Sequence, residues 1–108
     1  NDHSAIPFVR GMIAARQNRL TEAISLFTKV LANEPDHVRA RLNKCSASFL
    51  KGDLATALDD ADYLVSNRPR LDMARLRRSE ILMSHGDWDE AESELRRLLG
   101  NRPDHTMA

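Results

Sequence analysis

Three prolines, Pro35, Pro69 and Pro103, stand 34 residues apart, and so do Ala23, Ala57 and Ala91. Other columns keep the same period: Leu20, Leu54 and Trp88; Phe27, Ala61 and Leu95; Val30, Leu64 and Leu98; Leu31, Val65 and Leu99; Asn33, Asn67 and Asn101. A short phrase also returns, "ARLNK" at 40–44 as "ARLRR" at 74–78. One such column can arise by chance, but this many at one period make the 108-residue chain three tandem copies of one unit.

Inside each copy the apolar spacing is helical, in two segments parted by a short polar turn. In the second copy it predicts helices over 38–51 and 55–67, with "KGDL" between them. Gly52 there can take the left-handed conformation that ends a helix; Gly86 repeats it, and the first copy has Asn18, the next-best residue. Each proline closes a unit because it cannot continue the helix before it. Asp36, Asp72 and Asp104 are expected to cap the helices that follow. Ala23, Ala57 and Ala91 are expected at the closest approach of the paired helices, where a Leu would cost roughly 1–3 kcal/mol in overpacking. The predicted fold class is all-α: one domain over 1–108, an α-solenoid of three helix-turn-helix repeats at about 4–37, 38–71 and 72–105. "PDHTMA" at 103–108 echoes "PDHVRA" at 35–40, so 104–108 is expected to start a further helix. With no initiator Met and no signal peptide, the chain is expected to be a piece of a longer protein.

Composition narrows the function classes. Sixteen basic and 16 acidic residues balance, which removes the usual argument for nucleic acid or an anionic membrane surface as partner. No apolar run approaches the roughly 20 residues that cross a bilayer, so no membrane insertion is expected. A single cysteine, Cys45, excludes an internal disulfide and a cysteine-rich metal site, and it replaces a small packing residue. His37 and His105 are one repeat position seen twice, His85 precedes a turn glycine, and His3 is placed in a leading tail. No two histidines fall four apart on a helix, and neither Cys-x-x-Cys nor a glycine-rich phosphate loop is present. Asp59, Asp60 and Asp62 suit a solvated helix face. No catalytic residue, cofactor or metal site is therefore expected.

A 34-residue helix-turn-helix unit with a mid-unit glycine, a fixed alanine, an apolar residue four on and a terminal proline resembles the tetratricopeptide (TPR) repeat, over essentially 4–105. The first helices depart from the common TPR pattern: the places usually bulky, Leu and aromatic hold Pro7, Arg10 and Ala14, then Arg41, Lys44 and Ser48, then Arg75, Arg78 and Leu82. "ARLRRSEILMSHGDWDEAESELRRLLGNRP" is similar to the third repeat of the TPR-bearing J-domain co-chaperones of the endoplasmic reticulum, also known as inhibitors of the interferon-induced kinase. That resemblance implies a right-handed superhelix whose first helices line a concave groove, a polypeptide partner (an unfolded client or a chaperone), and the endoplasmic reticulum lumen, with the cytoplasm as the alternative. On the family geometry the groove carries Phe8, Met12, Arg39, Asn43, Phe49, Met73, Arg77 and Met83. Val9, Arg16, Leu42, Ser46, Leu50, Leu76 and Glu80 belong to the same face, although Leu42, Leu76 and Phe49 also suit packing between units.

Two other readings share the fold. Family members that clamp the Glu-Glu-Val-Asp tail of heat-shock chaperones use five donor positions. Asn43 and Arg77 match two, and Phe8, Met12 and Met73 occupy the others with apolar side chains, which tells against a clamp. The second is a structural scaffold for one fixed folded partner. Arg41, Lys44, Arg75 and Arg78 are expected to lay their stems on apolar neighbours and reach Asp59, Asp60, Asp62, Glu90 or Glu92. A solenoid's last unit needs a polar cap or a neighbour; Glu92 partly blunts that edge, yet Leu95, Leu98 and Leu99 form an apolar stripe there, to be covered by a crystal neighbour or a dimer partner.

Overall fold

A computed structural model describes residues 2–100, with side chains from residue 4 onward. Six helices follow in order: α1 (Asp2–Arg16), α2 (Leu20–Asn33), α3 (Val38–Lys51), α4 (Leu54–Asn67), α5 (Asp72–His85) and α6 (Trp88–Gly100). They form three antiparallel hairpins stacked in a row, an all-α solenoid with no strand among the described residues. Each helix packs on its neighbours in sequence, and α3 also touches α1 and α5. The second helices make no such approach to one another, so the row curves with α1, α3 and α5 on its inner side. Asn101, Pro103, Asp104, His105 and the further helix expected at 104–108 lie outside the described residues. His3, expected in a tail, belongs to α1.

The turns answer to the residues that make them. Gly52, Gly86 and Asn18 all have positive φ, at 93°, 92° and 61°. In each case the preceding helix closes with the same pair of bonds: Gly52 N–H to the Phe49 carbonyl and Asp53 N–H to that of Ser48, then Gly86 to Met83 with Asp87 to Leu82, then Asn18 to Ala15 with Arg19 to Ala14. This is the Schellman arrangement, which satisfies carbonyls the helix leaves open. The N-caps differ from expectation. His37, not Asp36, caps α3, its Nδ1 accepting from the Ala40 N–H at 3.1 Å, while Asp36 accepts from the Tyr63 hydroxyl at 2.9 Å. Leu71 occupies the cap of α5 without a side-chain bond, and Asp72 lies in the first turn, where its charge suits the helix dipole.

Ala23, Ala57 and Ala91 are all buried where the paired helices meet. The first hairpin buries Ala14, Ala23, Phe27 and Val30 together with Ala40 from α3; Cys45, Ala57 and Ala61 of the second enclose Ile81 from α5. Each joint is thus sealed by an apolar residue from the next unit's first helix. Large side chains face small ones along the row. Gly11 leaves room for Phe27, and a Cβ there would stand 2.7 Å from the Phe27 ring.

Candidate functional site

The inner face is set by the first helices, and it includes a cleft of about 240 Å³ between α1 and α3. Met12, Ala15 and Arg16 form one wall; Asn43, Ser46, Ala47 and Leu50 form the other; Leu20 and Phe27 close its base. Helical spacing explains the set, because residues three and four apart share a face. Met12 leans on the first core cluster, whereas Leu50 is 70% exposed. The cleft therefore combines flexible apolar groups, Met12 and Leu50, with the polar side chains of Arg16, Ser46 and Asn43, whose amide can both donate and accept.

The structure brings Met12 and Asn43 together and distributes the other expected groove residues. Phe8 is half-buried in the joint between the first two units, its ring 6.0 Å from that of Phe27 and 4.8 Å from that of His37. The Arg39 guanidinium lies 5.2 Å over the same ring, a cation–π contact that fixes the arginine at the groove's start. Phe49 packs on the second core cluster. Met73 is 52% exposed, Met83 is half-buried, and Arg77 is tied to Glu80 at 2.7 Å. Leu76 lines a different cleft, of about 280 Å³, with Leu95, Leu98 and Leu99 at the C-terminal edge, where the apolar stripe was expected.

The repeated arginines have a structural explanation. Asp60 and Glu94, one repeat apart and each only 3% exposed, are buried carboxylates. Arg41 and Lys44 both reach Asp60 at 3.2 Å; Arg75 and Arg78 reach Glu94 at 2.6 and 2.9 Å. Arg41 also donates to the Pro35 carbonyl and Arg75 to that of Pro69, so each arginine ties its unit's buried acid to the preceding loop. Burial pushes the Asp60 carboxyl above its ordinary range, against the pull of Lys44 and Arg41. Burial also opposes charge on Arg78, but its bonds to Asp62, Glu90 and Glu94 prevail and raise it. The first unit has Pro7 and Leu26 in the columns of Arg41 and Asp60, having exchanged both halves of the pair for apolar residues.

Glu94 was not among the partners expected for these cations. Glu92, which was, bonds Arg96 instead. The 34-residue step from Asp60 to Glu94 is the signal that finds it. A second feature absent from the sequence reading is an outer cleft of about 620 Å³ between α4 and α6, with Arg78 among Asp62, Glu90 and Glu94. Arg78 is already engaged by all three acids, and Arg97 also lines the cleft. Cys45 is buried, donates to the Ala57 carbonyl, and has its pKa pushed up to about 12 by burial and then by Asp60. Its thiol is therefore protonated and shielded at neutral pH, unlike the exposed, low-pKa thiols that react.

Comparison with known proteins places this geometry. Family models described as tetratricopeptide repeat match residues 8–72 and 73–105. DnaJ homolog subfamily C member 3 from Homo sapiens and from Mus musculus are each 28% identical over 92 residues, covering 85% of this chain and 18% of those proteins. The chain thus spans less than a fifth of the curated relatives it matches. Among solved structures, the first TPR of Spaghetti (RPAP3) bound to the HSP90 peptide SRMEEVD has a TM-score of 0.86 at 24% identity, over 94% of this chain and 81% of that one. The Arabidopsis OM64 TPR domain has a TM-score of 0.86 at 18% identity, over 95% and 85%.

Proposed function

This chain belongs to the tetratricopeptide repeat family, a family of protein–protein interaction modules, and on that premise we propose that it holds extended, apolar stretches of unfolded polypeptide along its inner face as the non-catalytic part of a J-domain co-chaperone. The observation that carries this reading is the cleft between α1 and α3. An apolar side chain entering between Met12 and Leu50 gains about 1.5–3 kcal/mol from burial. Asn43 beside it offers an amide to the bound backbone, and methionine adapts its shape to many side chains. The likeness to DnaJ homolog subfamily C member 3 supports the co-chaperone setting; the endoplasmic reticulum lumen is part of this proposal and rests on the sequence resemblance alone.

The HSP90 peptide held by the RPAP3 domain makes the carboxylate clamp the natural rival. A pair of carboxylates needs several cationic and amide donors. Of the five family positions, Phe8, Met12 and Met73 offer none, and Arg77 is already occupied by Glu80. The donors available therefore tell against the clamp reading.

The test is an anisotropy titration against a fluorescently labelled, permanently unfolded protein, with a Glu-Glu-Val-Asp peptide as competitor. Saturable binding that the peptide does not displace is expected. Replacing Met12 and Leu50 together by Ser should weaken it about tenfold or more, from two lost apolar contacts, with the helical circular dichroism unchanged. Displacement by the peptide would restore the clamp. Absence of binding would leave the scaffold for a fixed folded partner.

A further inference from the structure

The balance of charge over the whole chain conceals a division between helices. Of the two helices that wall the inner cleft, α3 carries four basic residues and no acid, and α1 beyond Asp2 carries Arg10 and Arg16. On the outer side α4 carries three aspartates and no cation. Arg41 and Lys44 are taken up by buried Asp60, and the charge of Lys51 acts on Asp53 at the following turn. That leaves Arg16 and Arg39 by the cleft, neither with a carboxylate partner among the described residues. Arg16 is exposed and forms part of the cleft wall. Arg39 is exposed one helical turn before Asn43 on the same face, its guanidinium laid over the Phe8 ring.

We propose that the cleft selects apolar segments bracketed by acidic residues: the central side chain of an extended stretch enters between Met12 and Leu50, while a carboxylate on one side reaches Arg16 and one on the other reaches Arg39. This substrate class rests on the function proposed above. Arg16 stands level with Leu50, its counterpart one repeat later on the parallel helix, and Arg39 lies eleven residues before Leu50. That separation is about 16 Å along the helix axis. An extended chain advances about 3.3 Å per residue, so carboxylates about five residues apart meet both cations with the apolar residue between them.

Both cations can take a carboxylate without giving up an existing hydrogen bond. A guanidinium lying over a ring keeps its N–H edges free, and these match a carboxylate in pairs. None of the residues lining the cleft is acidic, so an acidic flank meets no like charge there, whereas a basic flank meets two. Glu80, the counterpart of Ser46 on α5, is neutralised by Arg77 at 2.7 Å. Such recognition differs from a terminal carboxylate clamp, because it needs no chain end and takes no donor from Phe8, Met12, Met73 or Arg77.

Anisotropy titration of three fluorescent peptides provides the test. All share a Leu-Val-Leu centre and capped ends, and differ in one pair of flanking residues five apart, both aspartate, both serine or both lysine. At low salt the aspartate peptide is expected to bind roughly three- to tenfold more tightly than the serine peptide, from two exposed ion pairs, with the lysine peptide weakest. At about 1 M salt the difference should shrink, because charges are then screened beyond about 3 Å. Arg16→Lys should keep the ranking, Arg16→Gln should narrow it, and Arg16→Glu should bring the aspartate and lysine peptides close together, with the helical circular dichroism unchanged in each. Equal binding of all three peptides to the unaltered chain overturns the acidic preference and leaves the apolar groove standing. Failure of all three to bind overturns the groove and the preference with it. An aspartate preference that survives Arg16→Glu combined with Arg39→Gln overturns the assignment to these two cations.

Discussion

At the scale of single residues, compensation in volume governs where variation is tolerated. Gly11, Cys45 and Ser79 share one column, and Phe27, Ala61 and Leu95 the column 16 residues later, on the paired helix; the smallest member of the first stands against the largest of the second. Gly11→Ala should raise helix propensity by about 1 kcal/mol. The added Cβ would nevertheless stand 2.7 Å from the Phe27 ring, and overpacking of that kind costs about 1–3 kcal/mol. The expected outcome is a lower urea midpoint, and an unchanged or higher midpoint would show that the ring can move aside. Cys45 gives a pH dependence with a definite sign. Its folded pKa of about 12 lies above the ordinary thiol value of 9.0, so its contribution to stability is full below about pH 9 and is lost as pH rises toward 12. Cys45→Ala should remove that alkaline slope from the unfolding free energy, and the native thiol should resist a disulfide reagent at pH 8 until the chain unfolds.

At the scale of helices and turns, the 34-residue period made most of the architecture legible. The α3 bounds, the three left-handed residues and the buried alanines all follow from spacing and from what each residue type can do in a turn. The caps were less legible because an N-cap depends on the backbone angles of one boundary residue, which a column of aspartates does not report; His37 took the place of Asp36, and its ring also packs, tilted, against Phe8. The site was legible only in outline. Family geometry names a face, but Phe8 and Phe49 spend much of their surface on packing, a matter of the neighbouring helix's side chains. The turns carry their own prediction. Asn18 holds φ at 61°, a conformation glycine adopts without a Cβ penalty. Asn18→Gly should therefore stabilise the first hairpin by a few tenths of a kcal/mol, up to about 1, whereas Asn18→Ala should destabilise it by a similar amount. Thermal melts of the two variants check the sign of each, and two shifts in the same direction would contradict the turn assignment.

At the scale of the whole molecule, contacts among the described residues run only between consecutive helices and between successive first helices. Stability in such a row is a sum of each unit's own term and the joints with its neighbours, rather than the property of one central core. Among the described residues the middle hairpin has two joints and each outer hairpin one, so amide exchange in α3 and α4 should be slowest. The ends are not equivalent. The first hairpin is held by Phe27, fully buried against Ala40, whereas the last keeps the open leucines and relies on the Glu94 cluster with Arg75 and Arg78. Leu98→Ala removes the most buried of those leucines, at a cost of about 2–5 kcal/mol for a core site and nearer the lower figure at an open edge. In a nearest-neighbour chain that loss stays local: exchange in α5 and α6 should accelerate strongly, in α3 and α4 less, and in α1 and α2 least. Equal acceleration in all six helices would mean that three units unfold as one block, and the joints would then have to be stronger than the units they connect.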